Sequence, residues 1–534
     1  MTASDNTVVE TRHGKLRGGV NKGVHFFKGV HYADTTAGAN RFMPPQPVKP
    51  WAGVRDALDY GQVVPQGGDS TSTIEWKRWM YGAQPKGEDS LVLNVWTPAV
   101  NDNRKRPVMF FLHGGGFNTG SGAGTGYDGT YLARRGDVVV ITINHRLNCF
   151  GHTYLGHLDA SGRFADAGNT GIMDMVAGLR WVNENIAAFG GDAGNVTVFG
   201  QSGGGSKVGL LMTMPSAMGL FRRGIVQSAS SLIRMAVPEA AARSTDALLK
   251  VLDIAPKDFA KLQDVPMERL IKARDEAVAA NGDVDDFRPV VDGRSLTMHP
   301  FDPVASGIGA DLPMMIGTCE NEVSSLLAKE PKSFALTMEE ARGRVARFMS
   351  ISESDAAHLL ADYAKRRPGM PPSQVMILIF SDHMYRRNDM LAAERKAALG
   401  RAPAYMYLFT WKTPVLGGIL GSPHTLCLPF VFGTLDEVSL MIGKGPEQQA
   451  LMERVQDAWL AFARTGNPNH PGIPDWKPYN GDTRPTMLFN DTCTLVNDPA
   501  KEDRLAIGVH PLYSTDASAK RNDSNDGGGD RKAA

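Results

Sequence analysis

The pentapeptide Gly200-Gln201-Ser202-Gly203-Gly204 has the pattern G-x-S-x-G. It follows the β-branched run Val196–Phe199 directly and precedes Gly205–Met214, a segment of helix-forming composition. Between a strand and a helix this pattern places a serine on a sharp turn, its hydroxyl standing clear at the end of a sheet near the positive end of the helix. A hydroxyl is a poor nucleophile at neutral pH until a base takes its proton. Its attack on a carbonyl also creates an oxyanion that needs donors. His113-Gly114-Gly115-Gly116-Phe117 offers them, because glycines let backbone N–H groups face a ligand where a side chain would block approach. The expected donors are the N–H groups of Gly115, Gly116 and Gly203. A phosphate-cradling role for the same glycines lacks the GKS or GKT ending, and the dinucleotide fingerprint lacks its acidic residue on a following strand.

Chemistry at such a turn needs a sheet beneath it. Pro107–Gly116 is a short apolar run ending in glycines, Asp137–Arg146 a second and Gly194–Gly200 a third. Runs of this length bounded by glycine read as buried parallel strands. Between the second and third, Val176, Leu179, Val182, Ile186 and Phe189 recur at helical spacing, so Asp174–Phe189 reads as a helix with one apolar face. Strand, helix, strand implies a right-handed crossover and an α/β fold with a mostly parallel sheet. No repeat and no linker interrupts the chain, so residues 1–513 read as one large domain with insertions after the third strand. The polar segment 514–534, without an aromatic or a large aliphatic residue, reads as a disordered tail.

Composition narrows the function classes. Lys+Arg and Asp+Glu are equal at 57 each, which argues against a general nucleic-acid binder or a polybasic membrane-surface protein. No apolar run reaches about 18 residues, so no membrane span is expected. The start, MTASDNTVVETRHGKLRGG, lacks a basic stretch followed by an apolar one and reads as no secretory signal. Cys149, Cys319, Cys427 and Cys493 have neither a disulfide-framework density nor metal-ligand spacing. The expectation is a cytoplasmic protein with free thiols, no metal and no cofactor, of undetermined oligomeric state.

Longer stretches carry a resemblance. Phe27–Trp51, Gly87–Pro98 (GEDSLVLNVWTP), Asn144–Gly151, Asn169–Gly205 and Trp459–Asn469 are similar to the corresponding blocks of the type-B carboxylesterase family, over about residues 8–500. The resemblance implies an α/β-hydrolase fold, a mixed and mostly parallel sheet with helices on both faces and insertions capping the site. It also implies a triad in the chain order serine, acid, histidine. GTCENEV (Gly317–Val323) is similar to the segment carrying the acid, which puts Glu322 in that role, with Glu320 as its rival. SPHTLCLPFVFG (Ser422–Gly433) is similar to the segment carrying the histidine, His424. His424 is then the base toward Ser202 and the acid toward the leaving group, and Glu322 holds its tautomer. Ser228, in a stretch similar to the family's QSGS, either supports the histidine or is an ordinary buried serine.

The departures are informative. Gln201 stands where the family often has a glutamate, and so does Cys427, three residues after the histidine. Ser90 replaces a disulfide cysteine and Val323 a common glycine. Two neutral groups in place of two carboxylates predict neutral or anionic esters as substrates. Asp69–Lys86, with Trp76, Trp79, Met80 and Tyr81, forms either a gorge wall or ordinary packing. Arg342–Tyr363 and Phe380–Arg387 belong to the capping region of the resemblance. The function expected is a cofactor-independent serine hydrolase of small-molecule carboxylic esters. Hydrolysis of activated amides or carbamates by the same triad is the alternative, and a non-catalytic adhesion or scaffold protein a remoter one.

Overall fold

The three apolar runs form adjacent strands in the computed structural model, which describes residues 7–67, 75–281 and 287–513; the tail expected at 514–534 lies outside the described residues. The main sheet has eleven strands. In chain order they are β1 (Gly19–Asn21), β2 (Val24–His31), β3 (Val92–Thr97), β4 (Arg106–Leu112), β5 (Val139–Ile143), β6 (Gly191–Gln201), β7 (Arg223–Gln227), β8 (Met314–Cys319), β9 (Ala404–Phe409), β10 (Pro485–Phe489) and β11 (Thr494–Asn497). Their spatial order is β11-β10-β9-β8-β7-β6-β4-β5-β3-β2-β1. From β5 across to β10 every pair is parallel. The edges are antiparallel. A separate three-stranded sheet pairs Val8–Thr11, Gly14–Arg17 and Val54–Asp56.

Alternation along β4 decides the layers, because successive side chains point to opposite faces. Val108, Phe110 and Leu112 join one core with Val139, Ile141 and Ile143, under the apolar stripe of helix α1 (Thr170–Asn185). The expected stripe residues Val176, Leu179, Val182, Ile186 and Phe189 are all buried there, the last two on a 3₁₀ turn that ends the helix. Met109 and Phe111 point the other way, into a second core with Phe199, Phe432 and Trp459. This face is covered by α3 (Cys427–Phe432) and α4 (Pro446–Thr465), which follow α2 (Gly203–Leu211) in the chain. The insertions between β8 and β9 build their own apolar cluster, which includes Val323 and Tyr385.

The order β5-β4-β6 also locates the crevice. The chain leaves β4 for one side and returns to the other, so the connections diverge between β4 and β6, where open α/β sheets leave room for a ligand beyond the strand C-termini. The residues after β4 are His113–Gly116, and the residue after β6 is Ser202. No helix among the described residues is long and apolar enough to cross a membrane.

Candidate active site

Ser202 sits between β6 and α2 with φ 61° and ψ −127°, a left-handed backbone that costs a β-carbon-bearing residue about 1–3 kcal/mol. Close approach of backbone enforces it. A Cβ on Gly200 would lie 2.5 Å from the carbonyl carbon and oxygen of Gly204, and one on Gly204 would lie 2.0 Å from the Leu112 oxygen. The glycines on either side of the serine therefore touch each other and the end of β4. The Ser202 N–H donates to Gln227 O at 2.8 Å, which anchors the turn to β7.

The glycine turn after β4 packs on this elbow. A Cβ on Gly203 would meet the Gly116 nitrogen at 2.5 Å, so these two backbones are in contact. Gly115 and Gly116 take φ values of 90° and 62°. Three carbonyls of the turn are engaged. His113 O accepts from Lys207 Nζ at 3.0 Å. Gly114 O accepts from His113 Nδ1 at 2.8 Å. Gly115 O accepts from the Asn118 and Thr119 N–H groups at 3.2 and 3.1 Å. A trans peptide points its N–H opposite to its C=O. The N–H groups of Gly115 and Gly116 are therefore turned away from those partners, with Gly116 facing Gly203.

The acid and the imidazole come from two loops further along. Glu322 follows the end of β8 and is fully buried. One of its carboxylate oxygens accepts from the Cys319 N–H at 2.6 Å. The other meets His424 Nδ1 in a short contact, and the His424 N–H donates to Glu322 O at 3.1 Å. A carboxylate at Nδ1 holds the proton there and leaves Nε2 as an acceptor. The rival, Glu320, faces Lys412 at 3.8 Å with a third of its side chain exposed.

The imidazole lies against the elbow. Gln201 Nε2 is 3.1 Å from His424 Nε2 and 3.3 Å from Nδ1. An atom nearly equidistant from both nitrogens lies over the ring face, off the in-plane lone pair of either. Tyr385, from a single π-turn over Asp382–Arg386, packs its ring 4.8 Å from the imidazole. Among the described residues the Ser202 hydroxyl forms no hydrogen bond. Its neighbour Gln201, rather than Oγ, touches the histidine, and in unliganded sites the serine–histidine bond often tightens only with substrate.

Other expected residues separate. Ser228, also left-handed at φ 53°, donates its N–H to Gly317 O at 2.8 Å. Its buried hydroxyl reaches neither His424 nor Glu322 and has no partner among the described residues. Cys427 is buried and accepts from Gln227 Nε2 at 3.3 Å. The Cys319 thiol lies beside it, pushed well up by burial. All four cysteines are free. Trp79 packs edge-on to Tyr127 at 5.9 Å in the core, so it is structural, whereas Trp76 is only partly buried.

Several residues escape sequence reasoning. Asn321 and Ser422 stitch the two loops, with Asn321 N–H to Ser422 O at 2.9 Å and Ser422 N–H to Asn321 Oδ1 at 3.0 Å. Ser422 Oγ donates on to Phe409 O at 2.8 Å. No periodicity marks them. Lys207 lies in a stretch that reads as ordinary helix, and Tyr385 falls in the capping stretch Phe380–Arg387 with nothing to single it out.

Comparison with known proteins follows the same lines. The sequence pattern described as "Carboxylesterase family" matches residues 5–507. The chain is 35% identical over 506 residues to the para-nitrobenzyl esterase of Bacillus subtilis (strain 168), covering 93% of this chain and 97% of that one. It is 31% identical over 514 residues to the phenmedipham hydrolase of Pseudarthrobacter oxydans, covering 94% and 98%. The crystal structure of the Geobacillus stearothermophilus carboxylesterase EST55 at pH 6.2 superposes with a TM-score of 0.80 at 39% identity, covering 94% and 99%. A serine elbow at the crevice of a mostly parallel sheet, a buried carboxylate–imidazole pair beside it and similarity over nearly the whole chain lead to one conclusion: this chain belongs to the carboxylesterase family and is a carboxylic ester hydrolase of the α/β-hydrolase fold.

Proposed function

We propose that Ser202 is the nucleophile, His424 the general base and acid, and Glu322 the group that orients and compensates the imidazole. Gly115, Gly116 and Gly203 donate to the oxyanion. Ser202 Oγ attacks the ester carbonyl as His424 Nε2 takes its proton. The oxyanion collapses, and the alcohol leaves with that proton. Water then attacks the acyl-enzyme under the same base and releases the acid. The observation that carries this reading is the left-handed serine at the end of β6, next to a histidine already paired through Nδ1 to a buried carboxylate.

The substrates we propose are neutral or anionic small esters. Gln201 on the imidazole and Cys427, three residues after His424, stand where acidic side chains would favour cations. Lys77 donates to Ser325 O, three residues beyond Glu322, at 2.7 Å, and burial followed by the nearby Lys329 lowers it to about 8. We place the protein in a reducing compartment, the cytoplasm, in keeping with its four buried free thiols.

The test is a set of para-nitrophenyl esters of graded acyl length, a matched anilide and a choline ester, run on wild type and Ser202→Ala. The expectation is a loss of about 10⁴-fold or more in the variant. Esters should be cleaved faster than the anilide, and the choline ester should be a poor substrate. A variant with undiminished rate, or an organophosphate adduct on another serine, overturns the assignment.

A further inference from the structure

The first peptide of the glycine turn is held by a side chain that the catalytic scheme leaves unused. Lys207 lies five residues after Ser202 on α2 and is fully buried. Its Nζ donates to His113 O at 3.0 Å. It makes no ion pair among the described residues, and burial alone lowers its ammonium to about 7. Among the described residues no carboxylate pairs with it. The Phe117 ring is 5.8 Å away. His113 and His145 stack in parallel at 4.9 Å. Burial, reinforced by Lys207, keeps both imidazoles far below their usual range. His152 is lowered to about 3, mainly by burial. The buried Arg146–Asp174 couple is closed: Asp174 gives both oxygens to Arg146, at 2.8 and 2.6 Å.

An unpaired cation in a dry interior is costly, and an apolar side chain of the same length would fill the space without that cost. Function is the remaining reason to keep it. Consecutive glycines have soft dihedrals, so the peptide planes of this turn are set by what their carbonyls bond to. Its second and third carbonyls are held from within, by His113 Nδ1 and by the turn itself. Only the first is held by the helix that carries the nucleophile. A lysine suits this task because its long stem carries an N–H donor from the helix across to a carbonyl of the neighbouring turn.

We propose that Lys207 is a positioning residue of the oxyanion hole: its bond to His113 O fixes the plane of the His113–Gly114 peptide, and so the direction in which the following N–H groups meet the reacting carbonyl. This rests on the serine mechanism proposed above. It adds that the nucleophile and the oxyanion donors are registered to each other through one buried lysine.

The experiment compares wild type, Lys207→Met and Lys207→Gln with Ser202→Ala as control. It measures kcat and KM on one para-nitrophenyl ester, and inhibition by a trifluoromethyl ketone whose serine hemiketal carries an oxyanion. Lys207→Met is expected to lower kcat about 10- to 100-fold, less than the 10²–10³ of losing a direct oxyanion donor. KM should stay within about threefold, and the ketone should weaken by the same factor as kcat/KM. The melting temperature should hold or rise, and Lys207→Gln, a neutral donor, should recover part of the rate. A Met variant with wild-type kcat, or a loss of rate with unchanged ketone affinity, overturns the proposal. If the Met variant does not fold, the same ratio in the Gln variant decides it. Activity surviving in Ser202→Ala would instead sink the serine mechanism, so the two failures are distinct.

Discussion

The two halves of the proposed active site are built by different physics. The nucleophile half, His113–Gly116 against Gly200–Gly204, is positioned mainly by backbone on backbone, with Gly115, Gly200, Gly203 and Gly204 packed where no Cβ fits. The base half, Glu322 with His424, joins loops 102 residues apart through side-chain and main-chain hydrogen bonds: Cys319 to Glu322, His424 to Glu322, Asn321 to Ser422. Steric exclusion has no intermediate states, whereas hydrogen bonds can be removed one at a time. The glycine contacts of the first half should therefore fail all at once, and the hydrogen-bonded second half by degrees.

Substitutions can break that contrast. The largest effect is expected from Gly204→Ala, whose Cβ would lie 2.0 Å from the Leu112 oxygen with only backbone to displace. It should cost more than about 4 kcal/mol and leave little folded enzyme; an unchanged urea midpoint would show that the elbow is looser than its contacts imply. Glu322→Gln keeps the volume and reverses the imidazole tautomer. It should lower kcat about 10³- to 10⁴-fold with a well-folded protein, as steady-state kinetics and circular dichroism would show.

The next effect concerns pH. Native Lys207 gives up its proton near about 7, while the unfolded lysine holds it to about 10.4. Between these values the unfolded state binds more protons, so native stability rises with pH. Relative to Lys207→Met, wild type should gain about 1–2 kcal/mol between pH 7 and 8.5 in urea melts. A constant difference would place the ammonium in a wetter setting. The smallest change is Asn321→Ala, which removes one acceptor from the Ser422 N–H. It should cost about 1 kcal/mol of stability and under about tenfold in kcat. A complete loss of activity would mean that the base half is as brittle as the nucleophile half.

The same division explains what could be read in advance. The serine elbow and the glycine turn are contiguous, and their glycines are demanded by local geometry, so the residues alone pointed to them. The stripe from Val176 to Phe189 likewise follows from helical period. Glu322 and Glu320 are two carboxylates two residues apart, and nothing local says which one turns inward. Resemblance selected Glu322, and it is the bond from the Cys319 N–H that turns its carboxylate toward His424. Gln201 was noted as a departure of type, yet its place over the imidazole face depends on how β6 meets the loop after β9. Ser228 shared the family's sequence context but not a contact with the imidazole.

By itself the sequence determined the α/β alternation, the strained serine and the glycine-rich donor turn, because strand period, helix period and the absence of a Cβ act over a few residues. Tertiary structure alone decided which carboxylate meets the histidine, that Tyr385 lines it, and that Lys207 lies unpaired beneath the glycine turn. Burial and partnership belong to the packed sheet, and a lysine on a helix has no way of announcing from its neighbours in the chain that water is excluded from it.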